Sequence, residues 1–268
     1  MISYIRNHFH PLWRLRQRSW FRRLQAKIDF PVFKRIGKIE TALFWLRDLS
    51  YLVSSDDIEQ TTGRYFERII TGFKPTFFLD VGANIGIYSW RAINLTHQIE
   101  IWMFEPDEKN AQLLSKTISR NGLSQVVLHE AAVSDISGTI PFLVDGVSGT
   151  TGSLGNDSSN TSSLHPAYGM RETRDVSCVT LDSFADKLSG QKVLIKIDVE
   201  GAEDRVLRGA RRLLNEIRPL ILVECFDLQK IAWLSEVNYL IQDLKEADNY
   251  LAYPRELEGI VIGEWKSD

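Results

Sequence analysis

The sequence predicts an α/β fold built on a mostly parallel, doubly wound sheet, with a helical extension at its N-terminal end. Three observations carry that prediction. Apolar strand-like runs alternate with helix-like segments through short connections, the pattern of parallel sheets. The run Phe77-Phe78-Leu79-Asp80-Val81 breaks into Gly82-Ala83-Asn84-Ile85-Gly86 and then into an apolar segment with helical spacing, Ile85, Tyr88, Ser89, Ala92 and Ile93. The following run, Ile99 to Phe104, ends in Glu105-Pro106, an acid about 20 residues beyond the glycine turn.

The elements follow in order. Residues 1 to about 70 read as helical, with breaks near Pro11, Pro31 and Ser54-Ser55-Asp56-Asp57. Leu43, Phe44, Leu46 and Leu49 give one apolar face there, and Thr62 to Ile70 leads into the main domain. Core strands are expected at 77–81, 99–104, 126–131, 193–198 and 220–225. Helices are expected at 85–95, 107–121, 181–188, 203–214 and 228–236, the second stopped by Asn121-Gly122. Residues 138–144 and 175–180 read as a β-ribbon. The segment between them, about 145–174, is rich in Gly, Ser, Thr and Asn and reads as a mobile surface loop or a lid. Tyr239-Leu240-Ile241 and Tyr250 to Tyr253 suit a closing antiparallel pair. Two units result: a basic helical extension over 1–70 and a main domain over 71–268.

Composition narrows the function classes. The chain has 268 residues, 44% hydrophobic and 25% charged, as in ordinary globular proteins. A net charge of −3 gives no nucleic-acid signal. Cys178 and Cys225 lie in strand-like segments, so a reducing, cytoplasmic setting is expected rather than a disulfide framework. No apolar run is long enough to span a bilayer, and no secretory signal is expected. Charge is uneven, however. The first forty residues carry ten Lys and Arg against Asp29 and Glu40, interleaved with Tyr4, Phe9, Trp13, Trp20 and Phe21. Such a helix either lies on an anionic membrane surface or packs on the protein with its basic face solvated.

The chemistry points to one crevice. Gly82 and Gly86 let the backbone approach a ligand, and the following helix start favours a carboxylate or phosphate. Glu105 suits a ribose diol, because a carboxylate accepts from both hydroxyls. The strand Leu194-Ile195-Lys196-Ile197-Asp198-Val199-Glu200 ends in three charges on one side, costly to bury without partners. Asp198, Glu200 and Glu224 offer a general base or a cation site. His129, inside a strand, reads as core or surface, and His165 falls in the Gly/Ser/Thr-rich segment, where it could face a substrate.

Taken together, Leu79 to Gly86, Phe104-Glu105-Pro106, Ala131-Ala132-Val133-Ser134-Asp135, Thr180-Leu181-Asp182, Leu194 to Glu203 and Ile221 to Glu224 stand in an order and spacing that resembles the FkbM-type family of S-adenosylmethionine-dependent methyltransferases. The resemblance runs from about residue 76 to 254. It implies a class I methyltransferase (Rossmann-like) sheet of seven strands with the last antiparallel. The implied reaction is methyl transfer from S-adenosylmethionine to a hydroxyl of a sugar, glycan or natural product. By that resemblance Asp80, Gly82, Asn84 and Gly86 hold the methionine part of the cofactor and Glu105 the ribose. Ser134 and Asp135 lie beside the adenine. Asp198 and Glu200 face the transferred methyl group. The chemistry of the transfer then suggests that Asp198 or Glu200 takes the hydroxyl proton, with Lys196 tuning its charge. A divalent cation is open to this acidic set but is not expected. Two rivals remain. A nucleotide-dependent oxidoreductase would want a third glycine, where the turn has Asn84. A non-catalytic domain would keep the fold and bind a membrane or protein partner through the basic arm.

Overall fold

The computed structural model describes residues 19–53, 60–144, 153–154, 172–246 and 248–259. Most of the Gly/Ser/Thr-rich segment, with His165, lies outside the described residues, as do Pro11 and Ser54 to Asp57.

The chain opens with helix α1 (Ser19–Ile28), strands β1 (Pro31–Ile36) and β2 (Ile39–Phe44), and helices α2 (Leu49–Val53) and α3 (Gln60–Arg68). The core begins with β3 (Phe77–Val81), α4 (Ile87–Leu95), β4 (Glu100–Phe104), α5 (Glu108–Asn121) and β5 (Val126–His129). Short strands β6 (Ala132–Val133), β7 (Gly138–Val144), β8 (Ser153–Leu154) and β9 (Glu172–Val179) form a separate four-stranded sheet, which contains the expected ribbon. The core resumes with α6 (Ala185–Leu188), β10 (Val193–Ile197), α7 (Glu203–Arg208), β11 (Leu220–Glu224), β12 (Tyr239–Asp243) and β13 (Asn249–Pro254).

Seven strands make the main sheet in the order β12-β13-β11-β10-β3-β4-β5. Strands β11, β10, β3, β4 and β5 are parallel, while β13 runs antiparallel to both β11 and β12. This is the class I methyltransferase sheet that the family resemblance implies, with the last strand, β13, antiparallel. Alternation along the strands sorts the core into two layers. Phe78, Ile101, Met103, Leu194, Leu220 and Leu222 pack on one face with Phe66, Ile69, Trp90 and Ile93. Leu79, Val81, Trp102, Phe104, Ile195, Ile197 and Val223 pack on the other with Leu181, Val206, Leu207, Leu213 and Leu234. Both faces are covered, so these strands read as near-continuous apolar runs.

The N-terminal region corrects the sequence reading. Residues 31–44 form an antiparallel hairpin, not a helix. Ile36 pairs with Ile39 across Gly37-Lys38, and Gly37 sits at φ +59°, where a type II′ turn takes glycine. Pro31 opens the edge strand, where a missing N–H is tolerated. The hairpin docks on α5 through backbone–side-chain hydrogen bonds. Ala42 N–H donates to Thr117 Oγ1 at 2.9 Å, Glu40 N–H donates to Asn121 Oδ1 at 2.9 Å, and Asn121 Nδ2 donates to Glu40 O at 3.0 Å. Asp29 closes the arrangement by accepting from the Leu46 and Arg47 backbone. Thr117→Val leaves the buried Ala42 N–H without its acceptor, so chemical denaturation should show a loss of about 1–3 kcal/mol. An unchanged midpoint would mean the hairpin is not anchored there.

Two expected helices are interrupted. The one at 203–214 breaks after Arg208, and a second helical turn covers Leu213–Ile217. A Cβ on Gly209 would lie 2.0 Å from Ser134 O, so the chain turns at this tight crossing. Asp182 restarts the helix by accepting from the Arg212 and Leu213 backbone. Residues 228–236 form short 3₁₀ turns in place of an α-helix, the first capped by Asp227.

Candidate active site

Parallel register brings the carboxyl ends of β3, β4 and β10 together. The turn after β3 carries three left-handed residues, Gly82 (φ +80°), Asn84 (φ +53°) and Gly86 (φ +82°). Its first N–H groups, on Gly82 and Ala83, both donate to Phe104 O. Gly82 must be glycine, since a Cβ there would meet Asp198 O at 1.9 Å. Gly86 precedes α4 and is packed under the Trp90 ring.

Glu105 is buried at the end of β4. Its Oε2 accepts from Asn84 N–H at 2.8 Å and its Oε1 from Asp107 N–H at 2.9 Å. Burial pushes its pKa up to about 7, against the two backbone donors, which pull the other way. Asp107 caps α5 by accepting from Asn110 N–H at 3.0 Å. A cleft runs along these residues. Its lining includes Gly82, Asn84, Glu105, Asp107, Asn110, Ala131, Val133, Phe142, Asp198, Val199 and Glu200.

A second, smaller cavity lies next to it, lined by Asp80, Asn84, Ile87, Tyr88, Lys196 and Asp198, with Tyr51 from α2. Gly82, Asn84 and Asp198 border both spaces. Register places Lys196 directly beside Asp80, and both are buried. Lys196 Nζ lies 3.1 Å from Asp198 Oδ2 and 4.7 Å from the Tyr88 ring centroid. Ser89 Oγ donates to Asp80 Oδ2 at 2.6 Å, while burial raises the Asp80 pKa. The turn after β10 is braced from behind. The buried Glu203 accepts from Gly201 N–H at 2.7 Å, and Lys230 Nζ donates to Gly201 O at 3.0 Å. Glu200 adopts a left-handed conformation (φ +52°), which ends strand alternation and presents it to the larger cleft.

The structure therefore gathers Gly82, Asn84, Glu105, Asp198 and Glu200 around the larger cleft, with Asp80 and Lys196 on the neighbouring cavity. Ser134 and Asp135 are not among the residues that line either space. Ser134 is buried with its hydroxyl on Asp135 Oδ1 at 2.9 Å, and Arg205 Nη2 reaches the same oxygen at 2.8 Å. Partial burial works against ionisation of Asp135, but the Ser134 and Arg205 hydrogen bonds outweigh it and lower its pKa. Their neighbours Ala131 and Val133 supply the wall instead. Glu224 is not part of either lining, and His129 stacks on Phe104 at 4.7 Å as a wall residue of the core. Among the described residues no group of three or more His, Cys, Asp or Glu side chains could hold a metal ion.

Asp107, Asn110, Phe142 and Tyr51 escaped the sequence reading. Asp107 and Asn110 were legible as the first turn of a helix opened by Glu105-Pro106-Asp107. Tyr51 and Phe142 are brought in by non-local packing and had no local signal. The residues fit S-adenosylmethionine. Asn84 lines both spaces, and its buried Oδ1 accepts no hydrogen bond among the described residues, leaving an acceptor for a donor such as the cofactor's amino group.

Comparison with known proteins identifies the family. The model of the methyltransferase FkbM domain matches residues 80–255. A relative named 2-O-methyltransferase NoeI, from Sinorhizobium fredii, is 26% identical over 193 residues, covering 69% of this chain and 77% of the relative. Similar solved structures include S-adenosylhomocysteine-bound methyltransferase PaMTH1 from Podospora anserina, at 12% identity and a TM-score of 0.42, covering 87% of this chain and 93% of that one. An O-methyltransferase from Bacillus cereus, also with S-adenosylhomocysteine, aligns at 13% identity and a TM-score of 0.41, covering 76% and 85%.

Proposed function

The chain belongs to the FkbM methyltransferase family and uses S-adenosylmethionine as its methyl donor; from that premise we propose that it methylates a hydroxyl group of a sugar or glycan. The observation that carries the proposal is the position of Asp198, which borders both the larger cleft and the smaller cavity. In this reading the larger cleft takes the cofactor, with Glu105 on the ribose hydroxyls and Asn84 and Gly82 along the methionine part. The smaller cavity takes the acceptor. Tyr51 and Tyr88 give it aromatic walls suited to the C–H faces of a sugar, and Asp198 and Lys196 give it partners for hydroxyls.

Bound S-adenosylmethionine supplies a sulfonium methyl group already activated for transfer. What the protein adds is alignment and a proton acceptor. Alignment of two reactants contributes roughly 7–11 kcal/mol in well-positioned cases. A neutral alcohol is a weak nucleophile, so a base must take its proton as the C–O bond forms. Asp198 fills that role. Its Oδ2 is held by Lys196, which fixes the carboxylate's orientation while the other oxygen serves the acceptor. Glu200 faces the same cleft and is the second candidate.

The test is transfer of a labelled methyl group to a panel of mono- and oligosaccharides, phenols and peptides, on wild type and Tyr51→Ala. Transfer to a carbohydrate hydroxyl, with acceptor KM raised about tenfold or more in the variant and cofactor affinity unchanged, is expected. Transfer confined to phenols or peptides would overturn the sugar assignment. A variant that weakens cofactor binding alone would move Tyr51 to the methionine end.

A further inference from the structure

Residues outside the family match carry an apolar surface that the catalytic reading does not use. In α1 the inward positions Phe21 and Gln25 are buried, whereas Trp20, Leu24 and Ile28 are exposed. These three recur every fourth residue, so they form one stripe along the solvent side of the helix. The stripe continues into Phe30, which stacks on Trp45 at 5.8 Å with both rings about half exposed. Asp29 locks this junction through its bonds to the Leu46 and Arg47 backbone. The apolar face is thus built on a fixed frame.

Charge identifies the occupant. Residues 1–28 carry Arg6, Arg14, Arg16, Arg18, Arg22, Arg23 and Lys27 and no Asp or Glu. Within α1 the charged residues are Arg22, Arg23 and Lys27, so a second copy of this helix would set like charges against one another, which costs energy. An anionic bilayer offers both an apolar layer for the aromatic stripe and negative headgroups for the arginines. We propose that α1 and the Phe30–Trp45 junction dock this protein peripherally on an anionic lipid surface. Among the described residues no helix is long and apolar enough to cross a membrane, so the contact is interfacial.

Deleting the whole arm is a poor test, because the hairpin that follows α1 is anchored on α5. Surface substitutions avoid this. Cosedimentation of the full chain with phosphatidylglycerol/phosphatidylcholine vesicles and with phosphatidylcholine vesicles alone reads the binding, and tryptophan fluorescence reads insertion. Binding to the anionic vesicles with a blue shift is expected, at least tenfold weaker on neutral vesicles or in 0.5 M salt. Leu24→Glu and the triple change Trp20→Ser, Leu24→Ser, Trp45→Ser should each lower it at least tenfold while the Tm of the single variant and its cofactor affinity stay as in wild type. No binding of wild type to anionic vesicles would overturn the proposal. So would a concentration-dependent dimer that these substitutions abolish. Neither result touches the methyl-transfer assignment.

Discussion

Asp198→Asn should lower kcat by about 10²- to 10⁴-fold, the usual contribution of a positioned general base, with little change in cofactor affinity. Asparagine keeps the shape of the side chain and can still meet Lys196, but it cannot take a proton. Single-turnover methyl transfer separates this loss from product release. The same measurement on Glu200→Gln should show a smaller effect, because Glu200 borders only the larger cleft whereas Asp198 borders both spaces. Turnover of Asp198→Asn within threefold of wild type would remove Asp198 as the base. A greater loss in Glu200→Gln would transfer the role there. Lys196→Met is the companion change. It leaves the buried Asp80 without its neighbouring ammonium, so it should cost stability as well as rate.

Glu105→Gln should remove a large part of the pH dependence of stability. Burial holds Glu105 at about 7 in the folded protein against 4.5 as its ordinary value. Between those values the folded protein keeps a proton that the unfolded chain has released. Stability therefore falls as pH rises from about 4.5 to 7 and is flat above, by up to about 3 kcal/mol from this group. The raised pKa values of Asp80 and Glu203 act in the same direction. Calorimetric Tm against pH should slope downward over this window in wild type and less steeply in the variant. Ligand binding should show the opposite trend. Ribose hydroxyls donate to the ionised carboxylate, so affinity for S-adenosylhomocysteine should rise with pH and level off above 7. At pH 8 the variant should bind about 10- to 100-fold more weakly, from the loss of charge-assisted hydrogen bonds, with little pH dependence left. An affinity profile identical in wild type and variant would take Glu105 out of the site.

How much of this was legible in the sequence follows from which interactions are local. The strand that ends at Val81, the turn through Gly86 and the acid at Glu105 form one continuous run of signals, and the structure keeps them together. The charged end of β10 was legible for the same reason, because alternation alone puts Lys196 and Asp198 on one face. The hairpin at 31–44 was misread as helix although Pro31 and the Gly37-Lys38 turn marked it. Its short apolar runs are too brief for periodicity to separate helix from strand. The pairing of Asp135 with Arg205, seventy residues further on, had no local signal either. Thr180-Leu181-Asp182 stood out as a motif, and its Asp182 proves to be a helix cap for Arg212 and Leu213. Tyr51 could not be read at all, since only the docking of the N-terminal hairpin and α2 carries it to the second cavity.

The most direct test is a crystal structure of the full chain with S-adenosylhomocysteine. The ribose diol should lie within hydrogen-bonding distance of Glu105, the adenine between the Asp107–Asn110 turn and the Ala131–Val133 wall, and the sulfur should face Asp198. A nucleoside bound elsewhere, or with its sulfur turned away from Asp198, would contradict both the cleft and the base.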